Sequence, residues 1–326
     1  MAQALAQMSQ ALAQERIREW TSGPLDLSNL GLMELPELPA DITGLNCSGN
    51  ELLKLPDALP AGLEWLQCSN NHLYSLPDMP AGLTELYCSG NQGLTELPEL
   101  PAGIIALDCS SNELRKLPDA LPNTLEWLQC SNNPLQYLPG TLPTAMEWLQ
   151  CRNNRLRSLP DMPAGLTELD CSNNLLYSIP STLPASLTHL YCGGNMIYLL
   201  PNTLPAGLQY LACRGNRIER LPEALPATLT VLICDYNGLS SLPELPSTLT
   251  YLSCSHNHTL ACQGILESMP DYVARMINST QLNAMYHSRV RIVRRCTMIF
   301  EELAQKVWHP SRVERLMLAG VDMEDM

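Results

Sequence analysis

Among 326 residues there is a single phenylalanine, and charged side chains make up only 16% of the chain. Nineteen lysines and arginines stand against 33 aspartates and glutamates, a formal net charge of −14. So acidic a chain repels nucleic acid and anionic membrane surfaces, which argues against both as partners of the whole molecule. No uncharged apolar run approaches the ~20 residues that a membrane-spanning helix needs. The first residues, Met1 to Trp20, lack a basic stretch followed by an apolar core, so no classical secretory signal is expected. A phosphate-binding loop, H-E-x-x-H, G-x-S-x-G and a Rossmann glycine run are all missing, and no C-x-x-C pair occurs. These absences point away from an enzyme and from any bound cofactor or metal.

What is present is a period. Eleven cysteines recur in steps of 20 or 21 residues, from Cys47, Cys68 and Cys88 to Cys234 and Cys254. An asparagine follows three residues after each, from Asn50 to Asn257, and a leucine precedes each by two, from Leu45 to Leu252. The unit reads L-x-x-L-x-C-x-x-N-x-L-x-x-L-P, a leucine-rich repeat with cysteine in the third apolar position of its strand. Leu25-Asp26-Leu27-Ser28 aligns as an earlier, degenerate unit, with Leu27 in the cysteine slot and Leu30 in the asparagine slot, which makes twelve units.

Each unit is expected to supply one short strand. The strands stack in parallel, and each apolar face is covered only by its neighbours. The asparagines should bond backbone groups inside the turns as an interior ladder. Twenty-two of the 26 prolines form one pair per unit, such as Pro56 with Pro60 and Pro77 with Pro80. Paired prolines block a helix, so the convex return leg should be extended. The fold class is therefore α/β, a solenoid of about twelve units with parallel strands on its concave face.

Charge marks the boundaries. The whole net charge sits on residues 1–262, whereas 263–326 carry eight residues of each sign. Residues 1–23 read as an N-terminal helical cap, with Leu5, Met8 and Leu12, then Ala13, Ile17 and Trp20, as its apolar stripe. Residues 24–262 read as the repeat domain and 263–326 as a C-terminal helical tail, closing with a capping box at Ser311-Arg312-Val313-Glu314.

The return leg Leu35-Pro36-Glu37-Leu38-Pro39 and its later copies resemble the bacterial LPX leucine-rich repeats of YopM- and IpaH-type secreted effectors. That resemblance covers roughly residues 10–260 and implies an interaction role in a host cytosol. IpaH-type members add a large ubiquitin-ligase domain with a catalytic cysteine in a C-x-D setting. Here only 64 residues follow the repeats, and Cys296 precedes Thr297-Met298, so ligase activity is not carried over. The tail, Arg295-Cys296 through Trp308-His309-Pro310 to Gly320-Val321-Asp322, resembles short tails of leucine-rich-repeat proteins in large DNA viruses.

The repeated cysteines are read as reduced core thiols, which implies a reducing, cytoplasmic compartment. Cys254, His256, His258 and Cys262 form the one cluster with metal-ligand composition, but Cys254 belongs to the core column. The basic run Arg289 to Arg295 is read as the wet side of an amphipathic helix.

Strand alternation leaves two columns facing outward, three residues and one residue before each cysteine. They hold Trp65, Glu85, Trp127, Trp148, Glu168, Tyr210 and Tyr251 in the first, and Tyr87, Asp108, Asp170 and Tyr191 in the second. Large outward aromatics are enriched in interfaces. These residues are therefore the candidate protein-binding site, and the chain reads as a non-enzymatic interaction scaffold. Its partner would present apolar groups flanked by basic residues. The alternative is a substrate receptor whose tail recruits a ubiquitin-ligase assembly.

Overall fold

The computed structural model describes residues 2–257. The expected tail helices, the basic run at 289–295, His258, Cys262 and the tail resemblance all lie outside the described residues. Helix α1 (Ala2–Glu19) leads into twelve strands: β1 (Gly23–Asp26), β2 (Ile42–Asn46), β3 (Trp65–Gln67), β4 (Glu85–Tyr87), β5 (Ala106–Asp108), β6 (Trp127–Gln129), β7 (Trp148–Gln150), β8 (Glu168–Asp170), β9 (His189–Tyr191), β10 (Tyr210–Ala212), β11 (Val231–Ile233) and β12 (Tyr251–Ser253). They form one parallel sheet in chain order, as a period of 20 or 21 residues dictates. The leucines two before each cysteine stand opposite one another, from Leu45 against Leu66 to Leu232 against Leu252. Leu25 pairs with Leu45, so the degenerate first unit joins the stack in register.

Two interior columns hold the stack together. The eleven repeat cysteines are buried, and none of them is in a disulfide. Loss of water around the sulfur pushes the thiols of Cys47 and Cys130 up to about 12, and Cys68, Cys109, Cys151, Cys192 and Cys213 well above their ordinary value. Thiolate, the reactive form, is thereby suppressed at neutral pH.

The asparagine column is a ladder between units. Asn133 Nδ2 donates to the carbonyl of Cys130 in its own unit at 3.2 Å and to that of Cys109 in the preceding one at 3.0 Å. Its Oδ1 accepts the N–H of Leu114 at 3.0 Å. The same donations recur at each of the eleven asparagines, from Asn50 to Asn257. The first unit has Leu30 in the ladder slot, and Asn50 serves it by accepting from both Leu30 and Leu32 at 3.0 Å. One irregularity follows from the extra residue at Gln92-Gly93. There Asn112 accepts the N–H of Asn91 at 2.7 Å, and Leu94 turns back onto the Asn91 carbonyl at 3.0 Å.

The proline pairs end as expected in legs without helix; among the described residues α1 is the only one. The second proline of the pair has a further use. In ten of the eleven pairs, from Pro60 to Pro246, its carbonyl accepts the N–H three residues on, as from Leu63 to Pro60 at 3.1 Å and from Leu125 to Pro122 at 3.0 Å. This four-residue turn aims the chain back into the next strand.

In α1 the structure corrects the expected stripe. Ala13 is fully buried, and Ile17 and Trp20 pack on the core, but Met8 and Leu12 are exposed. The apolar contact is made by the last turns of the helix, where Arg16 also reaches the Asp26 carbonyl at 3.1 Å and Trp20 Nε1 donates to Gly23 at 3.2 Å, while Gln10 in the middle of the helix donates to the Glu34 carbonyl at 2.7 Å.

Candidate functional site

The two outward columns lie on one face of the sheet. Register places Trp65 against Glu85, Trp127 against Trp148, Trp148 against Glu168 and His189 against Tyr210. A parallel sheet repeats each side chain about 4.8 Å further along, so flat rings in adjacent units are set to stack. The Trp127 and Trp148 rings do so, with centroids 4.7 Å apart and planes at 6°. Tyr87 tilts against Trp127 at 6.4 Å. A second cluster joins Tyr191 and Tyr210 at 4.8 Å, with His189 at 5.9 Å from Tyr210. Strand β8 lies between them and carries Glu168 and Asp170.

Sequence register makes these side chains outward, and from that it makes them exposed. The structure corrects the second step. Trp148 is 7% exposed, Glu168 5% and Asp170 8%. Trp65, Tyr87, Trp127, Tyr191, Tyr210 and Tyr251 are half-buried. The rings cover one another along the repeat axis, a packing that in/out alternation within one strand does not express.

The outward tryptophans do not form one continuous strip. Glu85 and Ala106 separate Trp65 from Trp127. Trp65 lies instead over Gly44, where an added Cβ would overlap its ring, so the neighbouring unit must have glycine there.

The acidic residues have structural partners too. Asp108 Oδ1 accepts the N–H of Ser110 at 2.9 Å and its hydroxyl at 2.6 Å, which caps the end of β5. Asp170 Oδ1 accepts the N–H of Ser172 at 3.0 Å in the same way. Glu85 Oε2 accepts the Tyr87 hydroxyl at 2.9 Å. Burial raises the pKa of Asp108 and Asp170, against the lowering effect of those serine bonds. Burial also pushes the Tyr210 phenol up to about 12. An ionised carboxylate with little water around it gains more from an incoming cation than an exposed one does.

Sequence reasoning passed over one column. The residue two after each cysteine has positive φ in all eleven units, between 53° and 70°. Gly49, Asn70, Gly90, Asn132, Asn153, Asn173, Gly194 and Gly215 suit that left-handed conformation, and their alternation of Gly and Asn was the available signal. Ser111 and Tyr236 do not share the preference, and His256 completes the column. Tyr236 and His256 stack at 4.1 Å with planes at 5°, beside the strand ends of the last two units. His256 bonds the Ser255 hydroxyl at 3.1 Å, and Cys254 is buried in the core column.

The chain is similar in structure to YopM from Yersinia enterocolitica, at 34% identity and a TM-score of 0.62, over 76% of this chain and 64% of that one. It is similar to YopM from Yersinia pestis at 33% identity and a TM-score of 0.56, over 77% of this chain and 83% of that one. A chain of the Drosophila Toll–Spätzle complex matches at 25% identity and a TM-score of 0.61, over 71% of this chain and 37% of that one. The repeat domain thus spans just under two thirds of the first of these proteins. No protein-family model matches the chain, and no curated protein matches it.

Proposed function

The chain belongs to the YopM type of leucine-rich-repeat effector proteins, and on that premise we propose that it is a non-enzymatic protein-interaction scaffold that binds through the outward face of its sheet, in a host cytosol. The observation that carries the reading is the pair of ring clusters, Tyr87–Trp127–Trp148 and Tyr191–Tyr210–His189, set either side of the buried acids of β8. Rings already fixed by stacking lose little side-chain freedom on binding, and a partner's apolar groups can spread over their remaining exposed surface. The desolvated carboxylates between them favour a lysine or arginine at the centre of that contact. No helix among the described residues is long and apolar enough to cross a membrane. The similarity to a chain of a protein–protein complex supports a protein partner, while the tail-recruitment alternative falls on residues outside those described.

The test adds bulk to the face without removing a ring. Gln129 and Ala212 are half-buried in the second column, one beside each cluster. The double change Gln129→Arg and Ala212→Arg should leave the thermal midpoint within a few degrees, because both side chains point away from the core. Capture of a defined partner from eukaryotic cytosol by the full chain should be lost. Unchanged capture by the folded double variant refutes the sheet face as the interface.

A further inference from the structure

Every one of the nine lysines and arginines in residues 24–257 lies within seven residues after a repeat cysteine. That segment follows each strand, so all nine sit along one flank of the stack. Only four of the 23 acidic residues in the same stretch share those positions: Glu51, Glu113, Glu219 and Asp235. The acidic repeat stretch has thus gathered its own cations on one side. Within the flank, six of the nine fall in two units. Arg152, Arg155 and Arg157 follow β7, and Arg214, Arg217 and Arg220 follow β10, all six exposed. The two triplets are three strand spacings apart, ~14 Å.

The ground between them is apolar. Leu175, Tyr177, Tyr198 and Leu199, from the two intervening units, are 38–53% exposed. Two of the arginines that border it are held in place by rings. Arg217 donates to the Tyr198 hydroxyl at 2.7 Å with its guanidinium over that ring. Arg214 lies 4.8 Å over the Tyr236 ring, itself in a left-handed conformation (φ 53°) and stacked on His256. Among the described residues the ion pairs are Arg16–Asp26 and Glu51–His72, so none of the six arginines is paired with a carboxylate. Arg152 exerts a weak lowering pull on Asp170. Preordered, unpaired guanidinium groups beside apolar surface are what carboxylate recognition uses.

We propose that this flank is a second interaction surface, separate from the sheet face, which takes an acidic segment of a partner protein in which two clusters of aspartate or glutamate bracket leucine or aromatic side chains. The gap of ~14 Å equals about four extended residues, which sets the spacing of the two clusters. Nucleic acid would need an unbroken cationic track, and here apolar ground divides it within a molecule of strongly negative net charge. The surface therefore has the sign opposite to that of the sheet face and selects the opposite partner chemistry.

The experiment uses the full chain and a synthetic peptide with Glu-Asp-Glu blocks either side of Leu-Tyr-Leu-Leu. Two variants change net charge equally. One replaces Arg155, Arg157 and Arg220 by Gln; the other replaces Lys54, Arg115 and Lys116 by Gln. All six side chains are exposed, so both variants should keep the wild-type thermal midpoint. The basic run at 289–295 is common to both and cancels. The first triple should weaken peptide binding about tenfold and the second less than about twofold, with both affinities falling as salt is added. Equal loss in the two triples overturns the proposal, because only net charge would then be at work. Absence of acidic-peptide binding overturns it, as does equal binding of a peptide with Lys in place of Glu and Asp. Tighter binding of a single-stranded RNA than of the acidic peptide, weakened by the first triple and not by the second, assigns the flank to nucleic acid and also overturns it.

Discussion

The inside of the stack and its outward face are built from the same twelve strands, yet they obey different rules. Inside, one answer is repeated: leucine, cysteine and asparagine occupy the same positions in unit after unit, and each asparagine bonds its own unit and the one before it. Outside, the positions of one column run through glycine, tryptophan, glutamate, alanine, histidine, tyrosine and valine. A ladder bond needs the same atoms at every step, so the asparagine column is constant in all eleven units after the first. The outward face needs only neighbours that fit each other, and its order comes from pairs such as Trp127 with Trp148. Repetition holds the fold, and departures from it make a surface specific.

The comparison breaks first at the ladder. Asn133→Ala leaves the N–H of Leu114 and the carbonyls of Cys109 and Cys130 without this partner, in a side-chain site only 5% exposed. Each unpaired buried group costs about 1–3 kcal/mol, so a loss of about 3 kcal/mol is expected from urea unfolding. Unfolding at the wild-type midpoint would mean that the ladder is incidental to the fold.

A smaller effect separates two tryptophans that the sequence treats as equivalent, since both stand in the module Glu-Trp-Leu-Gln-Cys. Trp148 is buried and stacked, whereas Trp65 is half-buried over Gly44. Full truncation of a core tryptophan costs about 3–5 kcal/mol. On this face Trp148→Ala should cost about 2 kcal/mol, and Trp65→Ala less than about 1 kcal/mol, in the same denaturation assay. Equal losses would show that stacking between units contributes nothing beyond local contact.

That pair also shows where the sequence stops being informative. Strand positions, register, the asparagine ladder, the buried thiols and the Trp127–Trp148 spacing follow from the period, because a parallel stack converts sequence distance directly into position. Exposure on the face does not follow, because it depends on whether the neighbouring unit offers a ring, as beside Trp148, or a glycine, as beside Trp65. The capping role of Asp108 and Asp170 was hidden for a similar reason. An aspartate two residues before a serine reads as surface charge until the turn that joins them is seen. The left-handed column was in plain view as Gly and Asn, but the invariant asparagine beside it drew the pattern instead.

The smallest effect turns on a single hydroxyl. The residue after each cysteine is often serine, and where the residue two before it is a short Asn or Asp its hydroxyl can bond that side chain: Ser48 to Asn46 and Ser110 to Asp108, both at 2.6 Å. Ser131 has Gln129 in that place, whose longer side chain reaches Ser110 instead, at 3.4 Å. Ser131 Oγ is therefore the one buried side-chain polar atom without a hydrogen-bond partner among the described residues. Removing an unpaired buried hydroxyl relieves its desolvation cost, while removing a paired one forfeits a bond to a carboxylate. Ser131→Ala should thus stabilise the protein by up to about 1 kcal/mol, and Ser110→Ala should destabilise it by about 1 kcal/mol. The two serines stand in adjacent units with the same backbone environment, so a common sign for both substitutions would show that the residue two positions earlier does not decide the matter.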